Sequence, residues 1–393
     1  PNALLYGLQS GFRKSFSTET ALIRLLDQLL FNLDENCVSG LVLVDYKKAF
    51  DLIDHNILIK KLFSYGVHGQ SLELFKSYLS DRSQYVNVDG VKSSSRPVEC
   101  GVPQGSILGP ILFIIFINDF PDQIKHSVAN IYADDTTLSY AHDYSSAPQS
   151  ITLELQKDIT NLADWSRVNH MVLNEEKTKT LLIAGKRLKK KLDTLDIDLM
   201  LNGKKLQQVT SFKLLGVTLD DELSFDIHVD NICKKLSQRI AVLCKIKRCL
   251  PFRERCLYYN AMIKPIIFYG SAVWTTTSKE NLNRVFGLQK RAARVILDLD
   301  MSARTVNMFQ QLNWIPYYDE VKIPKATTAY KRIKNDSPNY LDDMLKLNSS
   351  VNSRSTRYCN LNFLCPKYKR ETEGDQNHKS YTFVGCVCGV ELG

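Results

Sequence analysis

Apolar and polar positions along this chain fall into three repeating patterns, and each predicts a different kind of element. Between Leu41 and Val44 four apolar residues run without interruption and end in a carboxylate, Asp45. A short continuous run of this kind predicts a buried central strand, with Asp45 emerging at its C-terminal end. Val128, Ala129 and Ile131 lead into Tyr132-Ala133-Asp134-Asp135, and Thr136, Thr137, Leu138, Ser139 and Tyr140 lead out. That arrangement predicts a β-hairpin with two carboxylates at its tip. Pro110 stands before the apolar run Ile111 to Ile117 and is placed to open a buried helix. The run is far shorter than the ~20 apolar residues of a membrane span, so it is core. From about Phe225 the spacing changes: Ile232, Leu236, Ile240, Leu243, Ile246 and Leu250 recur at three- and four-residue steps. They predict one apolar stripe on a helix that Pro251 stops. A second amphipathic stretch runs through Leu282, Val285, Phe286, Gln289, Ala292, Ala293 and Ile296, with Lys290, Arg291 and Arg294 expected on its exposed face.

The chemistry sits where these elements end. Two adjacent acids on an apolar hairpin repel each other unless a cation neutralises them, and a divalent metal is the usual partner for oxygen ligands. A strand ending in Asp45 beside a hairpin carrying Asp134 and Asp135 could hold two magnesium ions, which clamp the attacking and leaving oxygens of an in-line phosphoryl displacement. Paired carboxylates of this kind also serve nucleases, so a metal-dependent phosphodiester hydrolase stays open at this point. Asp51 and Asp54, further along, read as turn or helix caps. The segment Gly101-Val102-Pro103-Gln104-Gly105-Ser106 is a turn in which backbone can approach a ligand closely, with Gln104 and Gly105 against a nucleotide or template base. A plain strand-to-helix turn fits that composition equally.

Composition adds a partner class. The chain has 393 residues, enough for two or three domains, and 51 basic against 42 acidic residues give a formal charge of +9. That balance suits an anionic partner. The excess is clustered: Gly185-Lys186-Arg187-Leu188-Lys189-Lys190-Lys191 reads as a loop-like basic patch, suited to a nucleic-acid backbone or to nuclear import, or simply solvated. Lys234, Lys235, Arg239, Lys245, Lys247 and Arg248 decorate the first predicted helix, as phosphate-tracking helices do. Ten irregularly spaced cysteines and no signal peptide read as reduced intracellular thiols. Cys359, Cys365, His378, Cys386 and Cys388 fit no regular zinc-finger spacing.

The order of these pieces resembles a reverse transcriptase palm: Asp45 with Ala49-Phe50-Asp51, then the Pro-Gln-Gly loop, then Tyr-Ala-Asp-Asp. Finer wording is similar to the non-LTR, or LINE-type, retrotransposon branch. Gln9 to Lys14 with Ser17 to Leu22 resembles the segment before that branch's first catalytic Asp. Asn174-Glu175-Glu176-Lys177-Thr178 resembles its lysine motif, Phe212 to Asp220 its primer-grip motif, and Leu288 to Arg294 a stretch of the helical region beyond. The resemblance covers about residues 7 to 320.

It implies an α+β right-hand fold, with an antiparallel-sheet palm, partial fingers and a helical thumb-like region. The domain limits expected are 1–220, 221–345 and a poorly defined tail at 346–393. It implies RNA-directed DNA synthesis from dNTPs, with an RNA template, a DNA primer, two Mg2+ ions (Mn2+ also possible), no membrane partner and a nuclear location. The alternative is an inactive relic or a domesticated nucleic-acid-binding protein. By the same resemblance, Asp45, Asp134 and Asp135 are the catalytic, metal-binding acids, with the Tyr46 carbonyl completing one shell. Phe50 lies under the sugar of the incoming nucleotide and disfavours a 2′-hydroxyl. Gln104, Gly105 and Tyr132 flank the substrate, Lys177 neutralises or protonates the leaving pyrophosphate, and Phe212, Leu215 and Gly216 grip the primer end. The chain opens at Pro1, close to the first motif, where the family carries further fingers strands and an endonuclease domain upstream; a partial chain is therefore expected.

Overall fold

The computed structural model describes residues 4–192 and 196–345. The chain divides into two compact units, one of residues 1–17 and 36–209, the other of residues 18–35 and 210–393.

Five strands form the sheet of the first unit: β1 (Cys37–Val44), β2 (Val128–Tyr132), β3 (Asp135–Asp143), β4 (Lys179–Ile183) and β5 (Gln207–Val209), in the order β5-β4-β1-β3-β2. All neighbours pair antiparallel except β5, which runs parallel to β4. β1 is central, and its apolar run is the core of the sheet: Val38, Leu41 and Val42 have no exposed surface. The helix Ala147–Val168 packs on this sheet so closely that a Cβ on Gly40 would stand 2.3 Å from the Ile151 Cγ2. Within that helix the fully buried Asp158 carboxylate accepts bonds from the backbone N–H groups of Lys125 (2.9 Å), His126 (3.1 Å) and Ser127 (2.6 Å). One buried acid thus pins the entry to β2, with its charge met by these three backbone donors and the Ser127 hydroxyl at 2.7 Å.

Asp54 is the cap its position suggested. Its side chain accepts from the Ile57 N–H at 3.0 Å and starts the helix His55–Ser64. The apolar run after the Pro-Gln-Gly loop is the buried helix Leu108–Phe116. It opens two residues earlier than expected, with Pro110 inside the first turn, where a missing N–H costs no intrahelical bond. The basic run is not a loop: Gly185–Lys189 is a short helix that buries Leu188 and leaves its cations around that anchor. A single apolar residue among five charges is too weak a periodic signal to reveal a helix.

The second unit contains the helix Thr18–Asp34, a hairpin of β6 (Ser211–Leu214) and β7 (Val217–Asp220), and the long helices Asp226–Ile246 and Lys279–Leu297. The expected stripe buries Ile232, Leu236, Ile240 and Leu243. Ile246 closes the α-helix, and a 3-10 turn over Lys247–Cys249 carries the chain to Pro251. On Lys279–Leu297, Arg291 is exposed as expected, whereas Lys290 and Arg294 are half-buried. The Lys290 Nζ lies 4.6 Å from the Phe286 ring centroid, so its stem covers aromatic surface. Among the described residues, Cys100, Cys233, Cys244, Cys249 and Cys256 are free thiols. The zinc reading and the expected tail lie outside the described residues, apart from that reading's rejection on spacing.

Candidate active site

The site grows from the register of β1 on β3. Val44 pairs with Thr136, and the Asp45 that ends this strand lies close enough for its charge to act on both Asp134 and Asp135. Asp135 also pairs with Tyr132 across the β2–β3 hairpin, leaving Ala133 and Asp134 as its two-residue loop. Ala133 takes φ 57, the positive value such tight hairpin turns require, and a non-glycine residue held there is strained. The turn is braced from the N-terminal segment. Gln9, 1% exposed, accepts with Oε1 from the Ala133 N–H at 3.0 Å and the Gly11 N–H at 2.8 Å.

Asp45 is fixed from the other side. Asn174 donates from its side chain to the Asp45 Oδ2 at 2.8 Å and from its backbone to the Asp45 carbonyl at 2.8 Å. The Asp45 N–H donates to the Thr178 Oγ1 at 3.2 Å. Tyr46 is buried, and the backbone beside it pairs with the strand-like turn at Leu173.

The three acids feel one another. Burial, then the charges of Asp134 and Asp45, push the Asp135 carboxyl up to about 6, although one edge of it reaches solvent. Burial also raises Asp134, against a bond from its own backbone N–H, and the Asp45 charge adds to the rise. Among the described residues no group of three or more His, Cys, Asp or Glu side chains is drawn into a ready-made metal cage. The donor chemistry nevertheless fits a hard divalent cation: burial and then like charge disfavour the ionised forms of Asp134 and Asp135, and a cation between them relieves both. Asp45, Asp134 and Asp135 are the residues that would hold it.

An aromatic shelf is built on Phe50, which follows Asp45 closely in the chain. Phe50 stacks on Phe113 with ring centroids 4.3 Å apart, and Phe12 meets Phe50 edge-on at 6.3 Å. The Pro-Gln-Gly loop is tied to the same turn. Val102 N–H donates to the Phe50 carbonyl at 3.0 Å, and the Gln104 amide donates to the Asp51 Oδ1 at 2.8 Å. A Cβ on Gly101 would stand 2.6 Å from the Asp51 carbonyl oxygen, so this glycine is required for the close approach. Gly105, at φ 78, faces open space. Asp51 is therefore a partner of Gln104 and does not cap a helix.

Lys177 is exposed on the turn that Asn174 begins, and its backbone N–H donates to the Asn174 Oδ1 at 3.3 Å. Phe212, Leu215 and Gly216 belong to the β6–β7 hairpin of the second unit. Leu215 and Gly216 both take positive φ, 45 and 87, as a two-residue hairpin turn of the primed kind requires. Tyr269 braces that turn: its hydroxyl donates to the Leu215 carbonyl at 2.8 Å, and a Cβ on Gly216 would fall 2.6 Å from its Cε1. Gln9, Asn174 and Tyr269 were assigned no role from sequence. Gln9 and Asn174 stand inside recognisable motifs, but no local pattern says which distant residue each one touches.

These features belong together in one class of fold. The family model for reverse transcriptase (RNA-dependent DNA polymerase) matches residues 4–219, and the chain belongs to that family, in its non-LTR retrotransposon branch. Its sheet-and-helix first unit is the palm-like α+β fold of that family. Among its relatives is the probable RNA-directed DNA polymerase from transposon BS of Drosophila melanogaster, 32% identical over 82% of this chain and 36% of that protein. The RNA-directed DNA polymerase from mobile element jockey of the same fly is 28% identical over 88% of this chain and 37% of its own length. The chain thus spans about a third of the length of the curated relatives it matches. Among solved structures, apo telomerase from Candida tropicalis aligns over 78% of this chain and 48% of its own, at 12% identity and a TM-score of 0.44.

Proposed function

We propose that this chain carries the polymerising centre of an RNA-directed DNA polymerase, which extends a primer 3′-hydroxyl with dNTPs on an RNA template and releases pyrophosphate. The observation that carries this reading is the meeting of Asp45, Asp134 and Asp135 at one end of the sheet, by strand register and mutual electrostatics. Reverse transcriptases work with divalent metal ions, and here two Mg2+, replaceable by Mn2+, supply charge neutralisation at the attacking and leaving oxygens when bound. The protein's part is positioning and preset charge. Asn174 holds the Asp45 carboxylate in one orientation. The Phe50–Phe113 stack is a rigid floor for the sugar of the incoming nucleotide, and its ring excludes a 2′-hydroxyl. Gln104, fixed to Asp51, and Gly105, with open space above it, border the nucleotide and template base. Tyr132 stands across the hairpin from Asp135. Lys177, on the exposed turn, neutralises the departing pyrophosphate. The β6–β7 turn grips the primer end, the basic helices of the second unit track the duplex phosphates, and the reaction takes place in the nucleus.

Growth of a labelled DNA primer on an RNA template, with Mg2+ and dNTPs, tests the reading. Lengthening by template-directed steps supports it. Shortening of either strand without lengthening would identify a phosphodiester hydrolase instead.

A further inference from the structure

The turn that carries Asp134 is held from outside the hairpin, by a residue that the proposed chemistry does not use. Ser10 N–H donates to the Ile131 carbonyl at 2.8 Å and Ile131 N–H to the Leu8 carbonyl at 3.1 Å, so a single parallel bridge at Gln9 ties residues 8–10 to β2. This places the Gln9 side chain beneath the loop, where its one oxygen takes both the Gly11 and Ala133 N–H groups. Its Nε2 is buried and has no hydrogen-bond partner among the described residues. Leaving an amide nitrogen unsatisfied costs free energy, so an apolar side chain would suit this spot better unless the oxygen at the other end were needed. It is needed: without it two backbone donors are orphaned, one of them on a non-glycine residue at positive φ. Gly11 completes the fit, because a Cβ there would stand 2.4 Å from the Ala133 nitrogen.

We propose that Gln9 is a positioning residue that locks the Ala133-Asp134 turn and so presets the carboxylates of Asp134 and Asp135 for divalent-metal binding. The inference rests on the metal reading of these acids given above. Gln9 touches neither substrate nor metal; it acts through the backbone of Ala133. Ligand-orienting residues of this kind change metal affinity about 10–100-fold when lost.

The test uses the full chain and two readouts, Mn2+ binding followed by electron paramagnetic resonance and amide exchange of the peptide spanning 128–138. Gln9→Met keeps the length and removes the acceptor. It is expected to weaken Mn2+ binding about tenfold and to speed exchange at Ala133. Gln9→Glu, buried and therefore protonated, keeps a carbonyl acceptor and is expected to match the parent in both. Should Gln9→Met not fold, Gly11→Ala, which crowds the Ala133 nitrogen but leaves the Gln9 oxygen in place, is expected to weaken Mn2+ binding in the same direction. Parent-like Mn2+ binding in a folded Gln9→Met or Gly11→Ala chain, or an equal loss in Gln9→Glu and Gln9→Met, would overturn the inference alone. A parent chain that binds no more Mn2+ than its Asp134→Asn, Asp135→Asn double variant would overturn the metal reading and this inference together. A parent that binds Mn2+ in a Gln9-dependent way yet extends no primer would leave the inference standing and remove the polymerase reading.

Discussion

At the scale of single residues, Asp135 has a pH signature. Its folded-state carboxyl holds a proton up to about 6, above the ordinary value of 3.8. The folded chain therefore binds that proton more tightly than the unfolded chain, and stability is lost as pH rises from about 4 through about 6, then levels off. In metal-free buffer, Asp135→Asn is expected to melt above the parent at pH 7.5 and level with it at pH 4, which thermal denaturation at the two pH values checks. Mn2+ binding by the parent is expected to strengthen across the same window, since the cation must displace that proton. Phe50 has a different signature. With its ring stacked on Phe113, Phe50→Ala is expected to raise ribonucleotide use relative to dNTPs by roughly tenfold or more, read from single-nucleotide incorporation. Unchanged discrimination would make Phe50 an ordinary core aromatic.

At the scale of elements, legibility followed the range of the contacts. β1 and the β2–β3 hairpin could be read from sequence because a continuous apolar run and an alternating one are local patterns, and the acids at their ends came with them. Asp54 as a helix cap was equally local. The braces were not legible, because each joins residues far apart in sequence: Gln9 to Ala133 across 124 positions, Asn174 to Asp45 across 129, and Tyr269 to Leu215 across 54. Sequence pattern gives the face a residue lies on, and tertiary pairing decides what it meets there. The helix Gly185–Lys189 was missed for a related reason, since its single buried anchor, Leu188, sets no period. Two element-scale outcomes follow. Asp54→Ala removes the cap of His55–Ser64 and is expected to cost about 1 kcal/mol, seen as a lower denaturation midpoint of the first unit. Gly216→Ala forces a Cβ toward the Tyr269 ring at a positive-φ position, and it is expected to weaken primer–template binding while dNTP incorporation by already bound complexes changes less. Equal binding by Gly216→Ala and the parent would remove the β6–β7 turn from the primer grip.

At the scale of the whole molecule, the net charge of +9 and the basic helices are what the proposed contact with nucleic acid rests on. Binding to an RNA–DNA duplex is expected to weaken steeply and linearly on a log–log salt plot, with a slope that shrinks by about one for each phosphate-contacting cation removed. A flat salt dependence would count against phosphate tracking by Lys234, Lys235 and Arg239. The central claim is that Asp45, Asp134 and Asp135 perform nucleotidyl transfer on a primer held by this chain. It is tested most directly by primer extension on an RNA template with Mg2+ and dNTPs, comparing the parent with an Asp134→Asn, Asp135→Asn variant that still binds the duplex. Extension by the parent and none by the variant is the expected result. Extension by both would place the chemistry elsewhere, and duplex binding with no extension by the parent would show a hand that grips nucleic acid without polymerising.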